Sequence, residues 1–171
     1  KSYHLKDHVR EDISCVFYDA IDFITQARRQ NGKVYVHCVQ GISRSATICL
    51  AYKIFTEKCT YNEAYEELKS KRACINPNMT FIAQLVWFHK RLFESNFDCL
   101  PVNPRVFLIC SHHTEDPNRV VAKLLMENLY LQGGRGSARN GKVLDPRAMF
   151  IVQTNENIWL WIGSKVPSCN I

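Results

Sequence analysis

Apolar residues fall at Ile13, Val16, Phe17, Ala20, Ile21, Ile24 and Ala27, three or four positions apart, with polar residues between them. This spacing predicts a helix with one buried stripe. Asp12 stands where an N-cap is needed. Asn31-Gly32 ends the run, with glycine accepting the left-handed conformation of a C-terminal cap. Lys33-Val34-Tyr35-Val36 is β-branched and aromatic and reads as a buried strand. Helical spacing returns from Ser45 to about Lys58. Thr60-x-x-Glu63 then forms a capping box for a helix reaching about Lys71, with Ala64, Tyr65 and Leu68 on its core side. Asn76-Pro77-Asn78 interrupts the pattern, and Asn78 caps a further helix carrying Phe81, Ile82, Leu85, Val86, Phe88, Leu92 and Phe93.

The pattern changes after this. Ser95 to Arg105 has two prolines and no periodicity, which marks a linker at about 99–104. Arg105 to Cys110 reads as a strand. Asp116-Pro117 is expected to open a helix with Val120, Val121, Leu124 and Leu125 on one face, because proline suits the first helical turn. Gln132 to Lys142 is rich in glycine and arginine. It reads as a solvated loop, since no strand leads into it at phosphate-loop spacing. Val143 to Val166 reads as a hairpin, with strands Ala148–Val152 and Ile158–Ile162 around Thr154–Asn157. Trp159 and Trp161 share one face of the second strand, which fits a docking surface or, as expected here, a core.

The chemistry concentrates in His37-Cys38-Val39-Gln40-Gly41-Ile42-Ser43-Arg44-Ser45, between the expected strand and helix. A loop there exposes the unpaired N–H groups of a helix N-terminus, which bind anions. Curled into a nest, it adds further inward-pointing amides. A cysteine at the base of such a nest, beside Arg44, favours its thiolate; such thiols have pKa values of roughly 3.5–7.5. Gly41 allows a tight turn and close backbone approach. Arg44 can hold two oxygens of one phosphate. Val39, Gln40, Ile42 and Ser43 contribute mainly amides. The bland alternative is a structural cysteine at a strand end.

This nine-residue stretch resembles the HC-x5-R-S/T signature of cysteine-dependent protein phosphatases, and its Gly-x-Ser-Arg-Ser ending resembles the dual-specificity branch, including mitogen-activated protein kinase phosphatases. The resemblance implies an α/β domain, a central sheet flanked by helices, over 1–98. It implies Cys38 as nucleophile, Arg44 as phosphate binder and an upstream aspartate as general acid. Matching the Phe23-Ile24 helix to the family pattern puts that acid at Asp7; Glu11 and Asp12 are rivals. Ser45 would donate to the departing thiolate, and equally reads as the helix N-cap. His37 would order the loop through ring hydrogen bonds. Pro77-Asn-Met-Thr-Phe-Ile-Ala-Gln-Leu85 resembles the segment that braces the loop in that family. Leu144 to Gly163 is similar to a gelsolin-type repeat, implying a gelsolin-like α/β module over 105–171 that could bind a protein partner. A phosphatase followed by such a module resembles plant-type mitogen-activated protein kinase phosphatases. The family places a strand-rich segment before the acid loop and further elements after the final glycine, so the chain reads as part of a longer protein.

Composition adds less. Lys and Arg together number 22 against 16 Asp and Glu, a modest excess that suits an anionic substrate. Eight cysteines form no Cys-x-x-Cys pair, which speaks against a zinc module. Several lie in apolar helical runs, as reduced thiols do, and point to a cytoplasmic or nuclear setting. No apolar run reaches membrane-span length and no signal peptide is visible. The expected partner is therefore a phosphorylated protein, a mitogen-activated protein kinase by resemblance, with no cofactor, metal, nucleic acid or membrane. Two other readings stand beside it. Uncharged Val39 and Gln40 count against a phosphoinositide phosphatase, and the intact Cys38, Arg44 and Asp7 count against a non-catalytic phosphoprotein binder.

Overall fold

The stripe opening at Ile13 folds as a 3₁₀ turn, Ile13–Val16, running straight into helix α1, Phe17–Arg29. The computed structural model describes residues 1–94, 105–124, 144–153 and 157–167. The expected linker, the glycine-rich loop and most of the last hairpin turn lie outside the described residues. The chain divides into two compact units, Lys1–Phe97 and Asp98–Ile171.

In the first unit, Ile13, Val16, Phe17, Ala20, Ile21 and Ile24 are all buried. Asp12 holds the N-cap position without a side-chain cap; its Oδ1 accepts from Ser14 Oγ at 2.6 Å instead. At the other end the left-handed residue is Asn31, at φ 57°, not Gly32. Gly32 serves by its lack of bulk. Its N–H donates to the Ala27 carbonyl at 2.8 Å, and a Cβ would stand 2.9 Å from that oxygen.

Helix α2, Arg44–Glu57, buries Ser45, Ala46, Thr47, Ile48, Leu50, Ala51 and Ile54. These residues lie on more than one face, as expected of a central helix, and α2 packs against α1, α3 and α4. Its end is marked by Lys58 at φ 55°. Helix α3, Tyr61–Lys71, carries the predicted capping box, with Thr60 and Glu63 bonded reciprocally. Helix α4, Met79–Phe93, is capped by Asn78, whose Oδ1 accepts from Phe81 N–H at 3.0 Å. The Phe17 and Phe88 rings meet edge to face at 5.1 Å in the centre of this core.

The segment 33–36 alternates as a strand does. Val34 and Val36 pack against the core, and Tyr35 stands 86% exposed. It joins no ladder, because no other strand occurs among the described residues of this unit. Among the described residues this unit is helical around one extended segment, so the sheet expected over 1–98 is not among them, while the chain as a whole is mixed α/β.

The sheet belongs to the second unit. Strands β1 (Arg105–His113), β2 (Asp116–Leu124), β3 (Met149–Gln153) and β4 (Ile158–Ile162) form one antiparallel sheet in the order β2-β1-β3-β4. The helix expected from Asp116 is strand β2, paired with β1 from His113↔Asp116 to Phe107↔Leu124. Its β-branched residues suit a ladder, and β2 is an edge strand, where Pro117 can lack an N–H without breaking a central bond. The last hairpin is as expected, with Phe150↔Trp161 and Val152↔Trp159 opposed. Trp161 packs on Phe150 at 5.5 Å between ring centroids. Trp159 is 59% exposed, so the expected shared core position fails for it. Among the described residues this unit is all strand. Among the described residues no helix is long and apolar enough to cross a membrane.

Candidate active site

The chain turns from the extended segment into α2 between Cys38 and Ser43, so this loop sits at the helix N-terminus. Ser43 occupies the N-cap position and Ser45 lies in the first turn. From there Ser45 Oγ reaches Cys38 Sγ at 3.2 Å. Gly41, at φ 68°, turns its N–H onto the same sulfur, also at 3.2 Å. Partial burial pushes the Cys38 thiol up. The Ser45 hydroxyl, with the backbone N–H groups of Ser45, Gly41 and Gln40, outweighs that and brings its pKa from 9.0 down to about 6. Dipoles fixed in place around the sulfur achieve this, in the manner expected of a nest.

The guanidinium of Arg44, expected to share in holding the thiolate, is engaged elsewhere. Its Nη1 donates to the Leu5 carbonyl at 3.0 Å, and its Nε lies 4.0 Å from Asp7 Oδ2. His37, expected to order the loop through ring hydrogen bonds, is exposed and makes none among the described residues. Its ring stacks on Tyr35 at 5.5 Å.

Asp7 comes to the loop from the N-terminal segment. Its Oδ1 accepts from Ser43 Oγ at 2.9 Å and from Asn78 Nδ2 at 2.8 Å. Asp7, Cys38, Gln40, Ser43, Arg44 and Asn78 line one cleft of about 740 Å³, whose walls include exposed Val9, Val39 and Met79. The rivals point elsewhere: Glu11 Oε2 accepts from Lys6 N–H and Asp12 from Ser14, and neither lines the cleft.

The loop is braced from behind. Asn76 N–H donates to the Ile42 carbonyl at 2.9 Å, Asn78 N–H to Ser43 Oγ at 3.3 Å, and buried Thr47 Oγ1 to the Ser43 carbonyl at 2.9 Å. Arg72 Nε donates to the Gly41 carbonyl at 3.1 Å. The sequence marks Asn78 as a cap, but its bond to Asp7 carries no local signal. Arg72 reads only as a basic residue complementing a helix C-terminus. Among the described residues, no trio of metal-ligating side chains lies at this cleft. Its donors are N–H and guanidinium groups, which suit an oxyanion.

A family model described as the dual specificity phosphatase catalytic domain matches residues 1–91. The chain is 34% identical over 169 residues to protein-tyrosine-phosphatase MKP1 of Arabidopsis thaliana, covering 96% of this chain and 20% of that protein. It is 46% identical over 92 residues to human dual specificity protein phosphatase 1, covering 54% of this chain and 25% of that one. The chain thus spans between a fifth and a quarter of these relatives' length. Among solved structures it is similar to human tyrosine phosphatase-like serine/threonine/tyrosine-interacting protein, with a TM-score of 0.51 and 35% identity over 52% of this chain and 58% of that one. With 91 of its residues matched and the Cys38 loop inside the match, this chain belongs to the dual specificity phosphatase catalytic-domain family.

Proposed function

We propose that this chain hydrolyses phosphotyrosine and phosphoserine or phosphothreonine on proteins, with mitogen-activated protein kinases as the substrate class. The single observation that carries the reading is the Cys38 sulfur at the base of the loop, with the Ser45 hydroxyl and the Gly41 N–H each 3.2 Å away and its pKa lowered to about 6. In the first step Cys38 Sγ attacks phosphorus in line. The S–P bond forms, the bond from phosphorus to the bridging oxygen breaks, and Asp7 gives that oxygen its proton. In the second step Asp7, now a carboxylate, takes a proton from water as the water oxygen attacks phosphorus. The S–P bond breaks and the thiolate returns, with Ser45 donating to it. The amides of Val39, Gln40, Gly41, Ile42, Ser43 and Arg44, with the Arg44 guanidinium, hold the non-bridging oxygens. Charge stabilisation of this kind does most of the work in phosphoryl transfer. For that, Arg44 must exchange its bond to Leu5 for phosphate; its nearness to Asp7 keeps acid and clamp on one cleft.

Turnover of a peptide phosphorylated on both residues of a Thr-x-Tyr unit, compared with a phosphoinositide under the same conditions, tests the substrate class. The peptide is expected to be hydrolysed and the lipid spared, because Val39 and Gln40 offer a polyanionic head group no cation. Binding without hydrolysis would favour the non-catalytic binder. Replacing Ser45 with alanine removes the largest contribution lowering the thiol's pKa. The thiolate exists above that pKa, so raising it depletes the nucleophile at pH 6 to 7 and leaves it untouched near pH 10. Alkylation of Cys38 by iodoacetamide is therefore expected to slow several-fold at the lower pH and to match the parent at the higher one.

The second unit we read as a gelsolin-like module serving protein docking. The support is local: the hairpin ends at Trp161-Ile162-Gly163, where a Cβ on Gly163 would stand 2.1 Å from the Pro146 carbonyl oxygen.

A further inference from the structure

Gly41 performs two tasks at one peptide. Its N–H faces Cys38 Sγ at 3.2 Å, and its carbonyl accepts from Arg72 Nε at 3.1 Å. A left-handed glycine is free to leave that conformation, since without a Cβ it adopts either sign of φ about equally readily. Arg72 supplies the restraint from outside the loop. It is thirty-one residues further along the chain, just after α3, where its own backbone is tied by N–H to the Leu68 carbonyl at 2.9 Å and by its carbonyl to Ile75 N–H at 3.3 Å. The guanidinium lies so close to the glycine that a Cβ at position 41 would meet Nη2 at 2.7 Å.

We propose that Arg72 is a positioning residue, which locks the Gly41 backbone by its carbonyl and so keeps the Gly41 N–H on the attacking sulfur. The inference rests on the nucleophile reading of Cys38. Arg72 does not line the cleft that holds Asp7 and Arg44; it lines a neighbouring cavity beside Cys38 and Gly41, and its hydrogen bond goes to the Gly41 carbonyl, so it acts through the peptide. A basic residue after a helix would ordinarily serve the helix's last carbonyls; here the Nε–H is spent on the loop. The other groups facing the loop are His37 and Arg44 on either side of it, Asp7 from the N-terminal segment and Cys49 from α2. None of them bonds the Gly41 carbonyl.

The test uses the full chain and its Arg72→Ala and Arg72→Lys variants. The rate of Cys38 alkylation by iodoacetamide is followed against pH, with the modified peptide identified by mass because other cysteines are present. In Arg72→Ala the midpoint is expected to rise by about one pH unit, the size of one charge-assisted hydrogen bond. Arg72→Lys is expected to follow the alanine variant, because a flexible ammonium keeps the charge but not the fixed planar fork. A parental midpoint in Arg72→Ala, or full restoration by Arg72→Lys, would overturn the proposal. Should Arg72→Ala fail to fold, by circular dichroism, the lysine variant carries the same test alone. Alkylation needs no turnover, so a chain that titrates as described yet hydrolyses nothing would defeat the phosphatase reading and not this one.

Discussion

Replacing Cys38 with serine is expected to lower kcat by about 10⁴–10⁶-fold, the scale seen when a covalent nucleophile is removed, while the phosphopeptide still binds. The reason lies in what the loop can ionise. The donors from Gln40, Gly41 and Ser45 bring a thiol from 9.0 to about 6. The same donors cannot bring an alkyl hydroxyl within reach of neutrality, so a serine at position 38 stays protonated and does not attack. The anion site itself is left whole, since its amides and Arg44 do not depend on the sulfur. Single-turnover hydrolysis together with capture of the phosphopeptide on the immobilised variant measures both halves. Retained turnover, or loss of binding along with turnover, would remove Cys38 from the role of nucleophile.

Asp7→Asn should lower kcat on a tyrosyl or seryl phosphate by about 10²–10⁴-fold, the usual worth of a placed general acid. Asparagine keeps an oxygen where Ser43 and Asn78 donate, so the loop and the start of α4 keep their contacts and only the proton is lost. The chemistry gives an internal control. p-Nitrophenolate leaves without being protonated, so p-nitrophenyl phosphate should be much less affected than a phosphopeptide. Glu11→Gln and Asp12→Asn should behave as the parent, because both carboxylates are committed away from the cleft. An equal loss on both substrates, or a greater loss from either rival, would mean that the proton comes from another group.

These two experiments depend on residues of different legibility. Cys38, Gly41 and Arg44 lie in one continuous stretch between two periodic segments, so a chemist can see the cradle in the letters. Asp7 is reached only through the family pattern, because nothing in Lys6-Asp7-His8 distinguishes its carboxylate from Glu11 or Asp12. The bonds that separate them come from Ser43 and Asn78, far along the chain. Arg44 shows a different limit. Its presence is plain from the motif, but its alignment with Leu5 and Asp7 is not, and the thiolate is held by Ser45 and amides instead. His37 likewise keeps its place beside Cys38 while its ring faces Tyr35.

The helices and caps of the first unit follow from local rules, since a turn of helix involves residues four apart and a capping box spans four. Thr60 with Glu63, and Asn78 with Phe81, need nothing from elsewhere. Strand β2 fails by the same logic. Asp-Pro followed by spaced valines is a fair helix start until β1 offers a ladder, and only the edge position makes Pro117 harmless. The extended Lys33–Val36 segment differs in the opposite direction, having strand residues but no paired strand among the described residues. What the amino-acid order determined by itself was periodicity, capping and the contiguous Cys38–Ser45 cradle, because each is satisfied within a few residues. Which carboxylate faces the cradle, where the Arg44 guanidinium rests and that Arg72 grips Gly41 were decided by tertiary structure alone. Those contacts join residues thirty-one to seventy-one positions apart, and no local preference encodes a distance across space.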